Sequence, residues 1–126
     1  MLGGFFMPVP KSIVQQLIGV GSGGGVDDLL TKAYSNGVRV RWHVLMGRDV
    51  TNKPTRVEII ALQGATLWVL KSEQPAAAAQ GVTLTGDILL PGLFRVGARI
   101  IGASSGDVLE AYVYGELEQV AGTVEG

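Results

Sequence analysis

The stretch LTGDILLPGLFRVGARIIGASSGDVLEAYVYGELEQV, residues 84–120, decides the fold class. It reads as three consecutive β-strands, over 82–90, 94–103 and 107–120, punctuated by Pro91-Gly92 and by Ser104-Ser105-Gly106-Asp107. Successive side chains of a strand point to opposite faces. In the last strand Leu109, Ala111, Val113 and Leu117 therefore share one side, and Glu110, Tyr112, Tyr114, Glu116 and Glu118 the other. A strand with one apolar and one polar face is half buried, as antiparallel sheets usually are.

Upstream the same pattern repeats. Asp27 to Thr31 reads as a strand leading to Asn36-Gly37, a strong hairpin signal. Val38, Val40, Trp42, Val44 and Met46 then alternate with Arg39, Arg41 and His43, which predicts a long strand with a basic outer face near its start. Residues 55–63 and 66–71 read as two strands separated by Gly64. In these, Ile60, Leu62, Trp68 and Leu70 make the second face apolar as well, so that face requires cover. Between Pro75 and Gly81 the placement of Pro and Gly suits a single helical turn. Short strands at even spacing with Gly-rich turns predict an all-β sandwich rather than βαβ units. The predicted organisation is an apolar N-terminal arm over 1–11, a short helix or strand plus Gly-rich linker over 12–25, an antiparallel β-sandwich over 26–120, and a tail over 121–126. Ser12-Ile13-Val14-Gln15 matches a capping box, yet periodicity alone leaves helix and strand open for 12–19.

Composition points to a packed domain with a covered surface. Only 17% of the 126 residues are charged, against about 25% in an average domain, and 47% are hydrophobic. So little charge predicts burial of part of the surface against other subunits. A net charge of −1 offers no clustered basic face for a phosphate backbone, so nucleic acid is not an expected partner. The apolar runs fall short of the ~20 residues of a membrane span, and no basic residue precedes the hydrophobic part of MLGGFFMPVP, so neither a span nor a signal peptide is expected. With no cysteine, disulfides and thiolate chemistry are excluded.

Candidate chemistry is sparse. Gly19 to Gly25 lacks the Gly-Lys-Ser/Thr end of a P-loop and leads into Asp27-Asp28, which reads as a flexible linker rather than a phosphate cradle. His43 is the single histidine. A triad of Ser104 or Ser105 with His43 and Asp49 has no nucleophile-elbow motif around it. Asp27 and Asp28 supply only part of a Ca²⁺ shell and read as capping residues. Trp42 and Trp68 suit either a sugar-binding platform or a core. No catalytic residue, metal or cofactor is expected.

A resemblance adds to this reading. Val26-Asp27-Asp28-Leu29-Leu30-Thr31, the strand Arg39-Val40-Arg41-Trp42, Ile88-Leu89-Leu90-Pro91-Gly92-Leu93-Phe94-Arg95-Val96, and Gly106-Asp107-Val108-Leu109 together resemble the small jelly-roll structural proteins of tailed-phage virions, over roughly residues 26–120. The departure lies at Tyr34-Ser35-Asn36-Gly37, where those proteins more often have a Pro-Ala-Gly turn. The resemblance implies a jelly roll and a non-enzymatic virion component, made in the host cytoplasm: a head decoration, vertex or tail-associated protein whose partners are copies of itself and other virion proteins. The rival expectation is a carbohydrate- or host-receptor-binding sandwich.

Assembly into a trimer or larger ring is expected through two groups of residues. Phe5, Phe6 and Met7 of the arm are aromatic and apolar enough to dock on a neighbour. Arg39, Arg41, Arg95 and Arg99 oppose Glu116 and Glu118, beside Tyr112 and Tyr114, in a segregation that suits charge pairing between subunits.

Overall fold

A computed structural model describes residues 11–119. The strands are β1 (Lys11–Val20), β2 (Val26–Leu30), β3 (Val38–Asp49), β4 (Arg56–Gln63), β5 (Thr66–Glu73), β6 (Val82–Pro91), β7 (Arg95–Ile101) and β8 (Val108–Gln119). They form two antiparallel sheets, β1-β8-β3-β6 and β2-β7-β4-β5, packed face to face. β1 pairs with β8, β2 with β7, β3 with β6 and β4 with β5. That is the order obtained by folding the chain into one long hairpin with its tip at Gly64 and rolling it up. The seams β3·β8 and β4·β7 close the roll. Eight strands in two sheets with this order make a jelly roll.

The core lies between the sheets. Val40, Trp42, Leu45, Leu109, Ala111 and Val113 come from the first sheet and Leu29, Val57, Ile59, Ala61, Val96, Ala98 and Ile100 from the second; all are buried in one cluster. Leu109, Ala111 and Val113 face inward as their alternation predicts. Fully burying one large aliphatic side chain contributes about 1.5–3 kcal/mol before ordering costs. The sandwich thus needs no covalent staple.

The structure corrects the sequence reading in several places. First, residues 11–20 are a strand, and β1 is an edge of the sandwich rather than a segment outside it. Ile13 and Leu17 turn to the core, and ten consecutive pairs with β8 outweigh the local capping signal. Second, the Gly-rich segment after β1 is not a free linker. Gly21 donates to the Asp107 carbonyl at 2.8 Å, Gly24 to Ala103 at 2.6 Å, and Gly102 and Gly106 donate back to Gly25 and Gly21. Third, Asn36-Gly37 does not close a hairpin, because β2 and β3 lie in different sheets. Gly37, at φ 103°, serves a crossing between layers. Fourth, residues 74–81 form no helical turn; Ala79, at φ 64°, and the Gln80 to Ala77 backbone bond make a turn instead.

A further correction concerns β3. Its register shifts between Trp42 and Val44 against both β6 and β8. The bulge returns Leu45 to the core and sends Val44 and Met46 outward, so the alternation expected over 38–46 holds only as far as Trp42. Gly115 faces the bulge; a Cβ there would sit 2.7 Å from both the Arg41 carbonyl oxygen and Trp42 Cε3. Only glycine fits that approach.

Candidate functional site

The outer face of the first sheet collects most of the residues that the sequence singles out. Along β3, Arg39, Arg41, His43 and Arg48 point outward. They meet Glu118, Glu116 and Glu110 of β8, because antiparallel register places Arg39 opposite Glu118, Arg41 opposite Glu116 and Arg48 opposite Glu110. Arg41 Nε lies 3.3 Å from Glu118, Arg39 Nε 3.5 Å from the same carboxylate, His43 Nε2 3.2 Å from Glu116, and Arg48 donates to Glu110 at 2.7 Å. Arg41 also reaches Asp87 of β6 at 2.8 Å. Asp87 and then Glu118 hold the Arg41 guanidinium above its ordinary pKa, and Glu110 does the same for Arg48. The basic outer face is therefore neutralised within one chain. Exposed pairs of this kind fix register more than they stabilise.

Arg95 and Arg99 sit on the other side of the molecule. Arg99 makes a two-pronged bond to Asp28, at 2.8 and 3.0 Å, and this pairing raises its pKa. Arg95 Nε donates to the Thr31 carbonyl at 2.9 Å. Glu116 and Glu118 thus do not face Arg95 or Arg99 within a protomer, and each group has its own local partner. Phe5, Phe6 and Met7 lie outside the described residues.

Next to the charged ladder the same face turns apolar. Val14, Ile18 and Val20 of β1 are 74%, 63% and 66% exposed. Tyr114 lies opposite Val14, Tyr112 opposite Gln16 and Val108 opposite Val20. The Tyr114 ring packs on His43, with centroids 5.4 Å apart, and Gln16 donates to the Tyr112 hydroxyl at 2.8 Å. Periodicity alone leaves residues 12–19 open between helix and strand, so the sequence does not reveal this stripe. As a strand they place Val14, Ile18 and Val20 on one face.

The remaining candidates separate. Trp42 is buried against Tyr34, so it forms no platform with Trp68. Trp68 is 43% exposed and packs on Phe94 at 5.3 Å. Asp27 accepts bonds from the Ser22 amide and hydroxyl, both at 3.2 Å, which closes the β1–β2 loop. Ser104, His43 and Asp49 do not converge: His43 belongs to the outer ladder and Asp49 is buried beside Asp107. Among the described residues, no group of three His, Cys, Asp or Glu side chains is placed to hold a metal. A cleft of about 500 Å³ between the β3–β4 and β5–β6 loops is lined by Lys53, Pro54, Thr55, Gln74, Pro75 and Ala76, without an aromatic ring.

Asp49 and Asp107 form a buried carboxyl pair at the loop end of the roll. Asp49 Oδ1 accepts the Thr51 and Asn52 amides at 3.0 Å, and Asp107 accepts Asn52 Nδ2 at 2.7 Å and the Ser104 amide at 2.9 Å. Burial, then the neighbouring carboxyl, raises the Asp49 pKa; the bond from Asp49 lowers that of Asp107. Asp49 Oδ2 is buried without a hydrogen-bond partner, which fits an Asp49 carboxyl that burial holds toward its neutral form. Two like charges cannot both be buried side by side. The pair ties the β3–β4 loop to the β7–β8 loop.

No protein-family model matches the chain, and no curated protein matches its sequence.

Proposed function

We propose that the chain is a non-enzymatic structural component of a tailed-phage virion, a head decoration, vertex or tail-associated protein that acts by assembling with copies of itself and with other virion proteins. One observation carries this reading: the strand pairing 1·8, 2·7, 3·6, 4·5 is the jelly roll implied by the resemblance, built from the residues that carry it. An outward face whose charges are neutralised internally, bordered by exposed aliphatics, supports an assembly role, since contiguous apolar patches mark interaction surfaces. Size exclusion coupled to light scattering tests it on the full chain. A trimer or larger ring is expected; a monodisperse monomer at high micromolar concentration overturns the assembly role.

A second reading rests on Trp68 over Phe94. An exposed Trp68 ring backed by the partly buried Phe94 suits the apolar face of a sugar ring, which keeps a carbohydrate- or receptor-binding module as the rival. Loss of glycan binding in Trp68→Ala, with an unchanged fold, would favour the rival.

A further inference from the structure

Among the described strands, four form the edges of the two sheets: β1 and β6 in the first, β2 and β5 in the second. An open edge recruits other strands, and proteins blunt edges with charge, proline, bulges or brevity. Three of the four carry such devices. β2 has five residues and includes Asp27 and Asp28. β5 meets a register shift at Ile59/Ile60 of β4 and carries Lys71 and Glu73. β6 lies beside the bulge of β3, carries Asp87 and ends on Pro91. β1 has none of these. It runs for ten residues in unbroken register with β8, holds no proline, and bears a single charge, at its first position, Lys11.

The backbone parity of that edge follows from one hydrogen bond. Gly21 donates to the Asp107 carbonyl at 2.8 Å, and this pair continues the β1·β8 register beyond Val20↔Val108. Hydrogen-bonded and non-hydrogen-bonded pairs alternate in an antiparallel ladder. Odd-numbered residues of β1 therefore bond to β8, and the N–H and C=O groups of Ser12, Val14, Gln16, Ile18 and Val20 point to the open edge. The β3 side agrees: Val50 donates to the Val108 carbonyl at 2.8 Å, so even-numbered residues of β8 bond to β3 and odd-numbered ones to β1.

We infer that β1 is a self-pairing edge: two copies of the chain join β1 to β1, antiparallel, about a two-fold axis at Gln16, fusing two four-stranded sheets into one of eight. Pairing across the open edge must match even-numbered residues with even-numbered residues. An axis at Gln16 does so over nearly the whole strand, with Val14 opposite the partner's Ile18, Gln16 opposite the partner's Gln16, and Ser12 opposite the partner's Val20. The central apolar side chains, Val14 and Ile18, then meet each other on both sides of the axis, and Lys11 falls opposite the partner's Gly21, away from any like charge. An axis at Leu17 keeps the parity but sets Gln16 against the partner's Ile18. The outward pattern Val14, Gln16, Ile18 reads alike in both directions, which a two-fold contact between identical surfaces demands and an unrelated strand does not. A second copy is therefore the occupant. The inference does not rest on the virion reading. A ring closed through other surfaces and joined through β1 becomes an even-numbered double ring.

The chain has no cysteine, so a single introduced cysteine reports only contacts between copies. Hydrogen-bonded antiparallel pairs hold their Cα atoms about 5.5 Å apart, within disulfide reach. Two copies of position 18 would lie four residues apart along the strand, roughly 13 Å, and out of reach. Under mild oxidation of the full chain, Gln16→Cys is expected to form a disulfide dimer at least tenfold faster than Ile18→Cys or Val69→Cys, the last on the exposed face of β5. Cross-linking at Gln16→Cys no faster than at Val69→Cys overturns the inference, and faster cross-linking at Ile18→Cys overturns the Gln16 axis. A double variant, Val14→Lys with Ile18→Lys, is expected to lose the two-fold contact by light scattering while keeping its circular dichroism. Association unchanged from the wild type overturns the inference. Failure here with assembly intact leaves the proposed function standing, whereas a wild-type monomer removes both.

Discussion

Gly97 is the position where one methyl group should cost most. It lies on β7 opposite Leu30 of β2 and Ile60 of β4. A Cβ at Gly97 would overlap the Leu29 carbonyl oxygen, and would sit 2.9 Å from that carbonyl carbon and 3.1 Å from Leu30 Cα. These are backbone atoms, so no side-chain rotation relieves the clash; β2 must move off β7. β2 has no other hydrogen-bonded neighbour among the described strands. Its displacement disturbs the burial of Leu29 and the latch in which the Thr31 amide donates to Val96 O at 2.9 Å and the Val96 amide to Thr31 Oγ1 at 3.1 Å. Overpacking usually costs 1–3 kcal/mol, and an obstacle made of backbone puts Gly97→Ala at the top, about 3 kcal/mol. For a domain of this size that is a fall in Tm of roughly 10 °C. Gly86 is the matched control: nothing lies within 4 Å of its Cβ position, so Gly86→Ala is expected to be neutral or to stabilise by up to about 1 kcal/mol. Thermal melts by circular dichroism compare the two. A Gly97→Ala protein that melts with the Gly86→Ala control refutes the reasoning.

Reversing Glu116 and Glu118 to Lys sets like charges against Arg39 and Arg41 and should lower Tm. Adding Arg39→Glu and Arg41→Glu should restore it, and adding Arg95→Glu and Arg99→Glu should not, because those residues bond to Thr31 and Asp28. The Asp49 contribution is fully present below the ordinary aspartate pKa and is lost as pH rises through its raised value; the Asp107 contribution is present above the ordinary value and is lost as pH falls through its lowered one. Asp49→Asn keeps an amide donor toward Asp107 and removes the first loss, so the fall in Tm as pH rises above the ordinary aspartate range should be smaller in the variant than in the wild type. Trp42→Ala should cost about 3–5 kcal/mol by denaturant titration, as expected for a buried aromatic, whereas Trp68→Ala should cost far less. Deleting residues 2–10 should weaken assembly, measured by light scattering, without altering the β-sheet spectrum; an unchanged oligomer would remove the arm from the account.

Alternation was enough to place most strands. Leu109, Ala111 and Val113 declare an inward face because β8 lies in the middle of its sheet, with one face on the core and one in water. What alternation cannot encode is pairing between distant segments. Asn36-Gly37 has the chemistry of a hairpin, yet β2 finds its partner β7 about seventy positions away. The β3 bulge escaped detection for a similar reason: Trp42, Val44 and Met46 alternate without a flaw, and only packing against Gly115 shows where the extra residue goes. The charged residues were legible as a segregated set, but their partners were not. Arg39 and Arg41 meet Glu118 through the β3·β8 register, a seam that exists only after the hairpin rolls up. The apolar edge at Val14, Ile18 and Val20 was written in the sequence, but it became readable only once β8 fixed the register of β1.

The most direct test of the central claim is quantitative mass spectrometry of intact, density-purified particles from the source of the chain, read alongside electron microscopy of the same fraction. The account predicts the chain as a stoichiometric component of the particle, with an even copy number if two-fold β1 contacts are kept there. Absence of the chain from purified particles, together with its recovery as a free monomer, would contradict it.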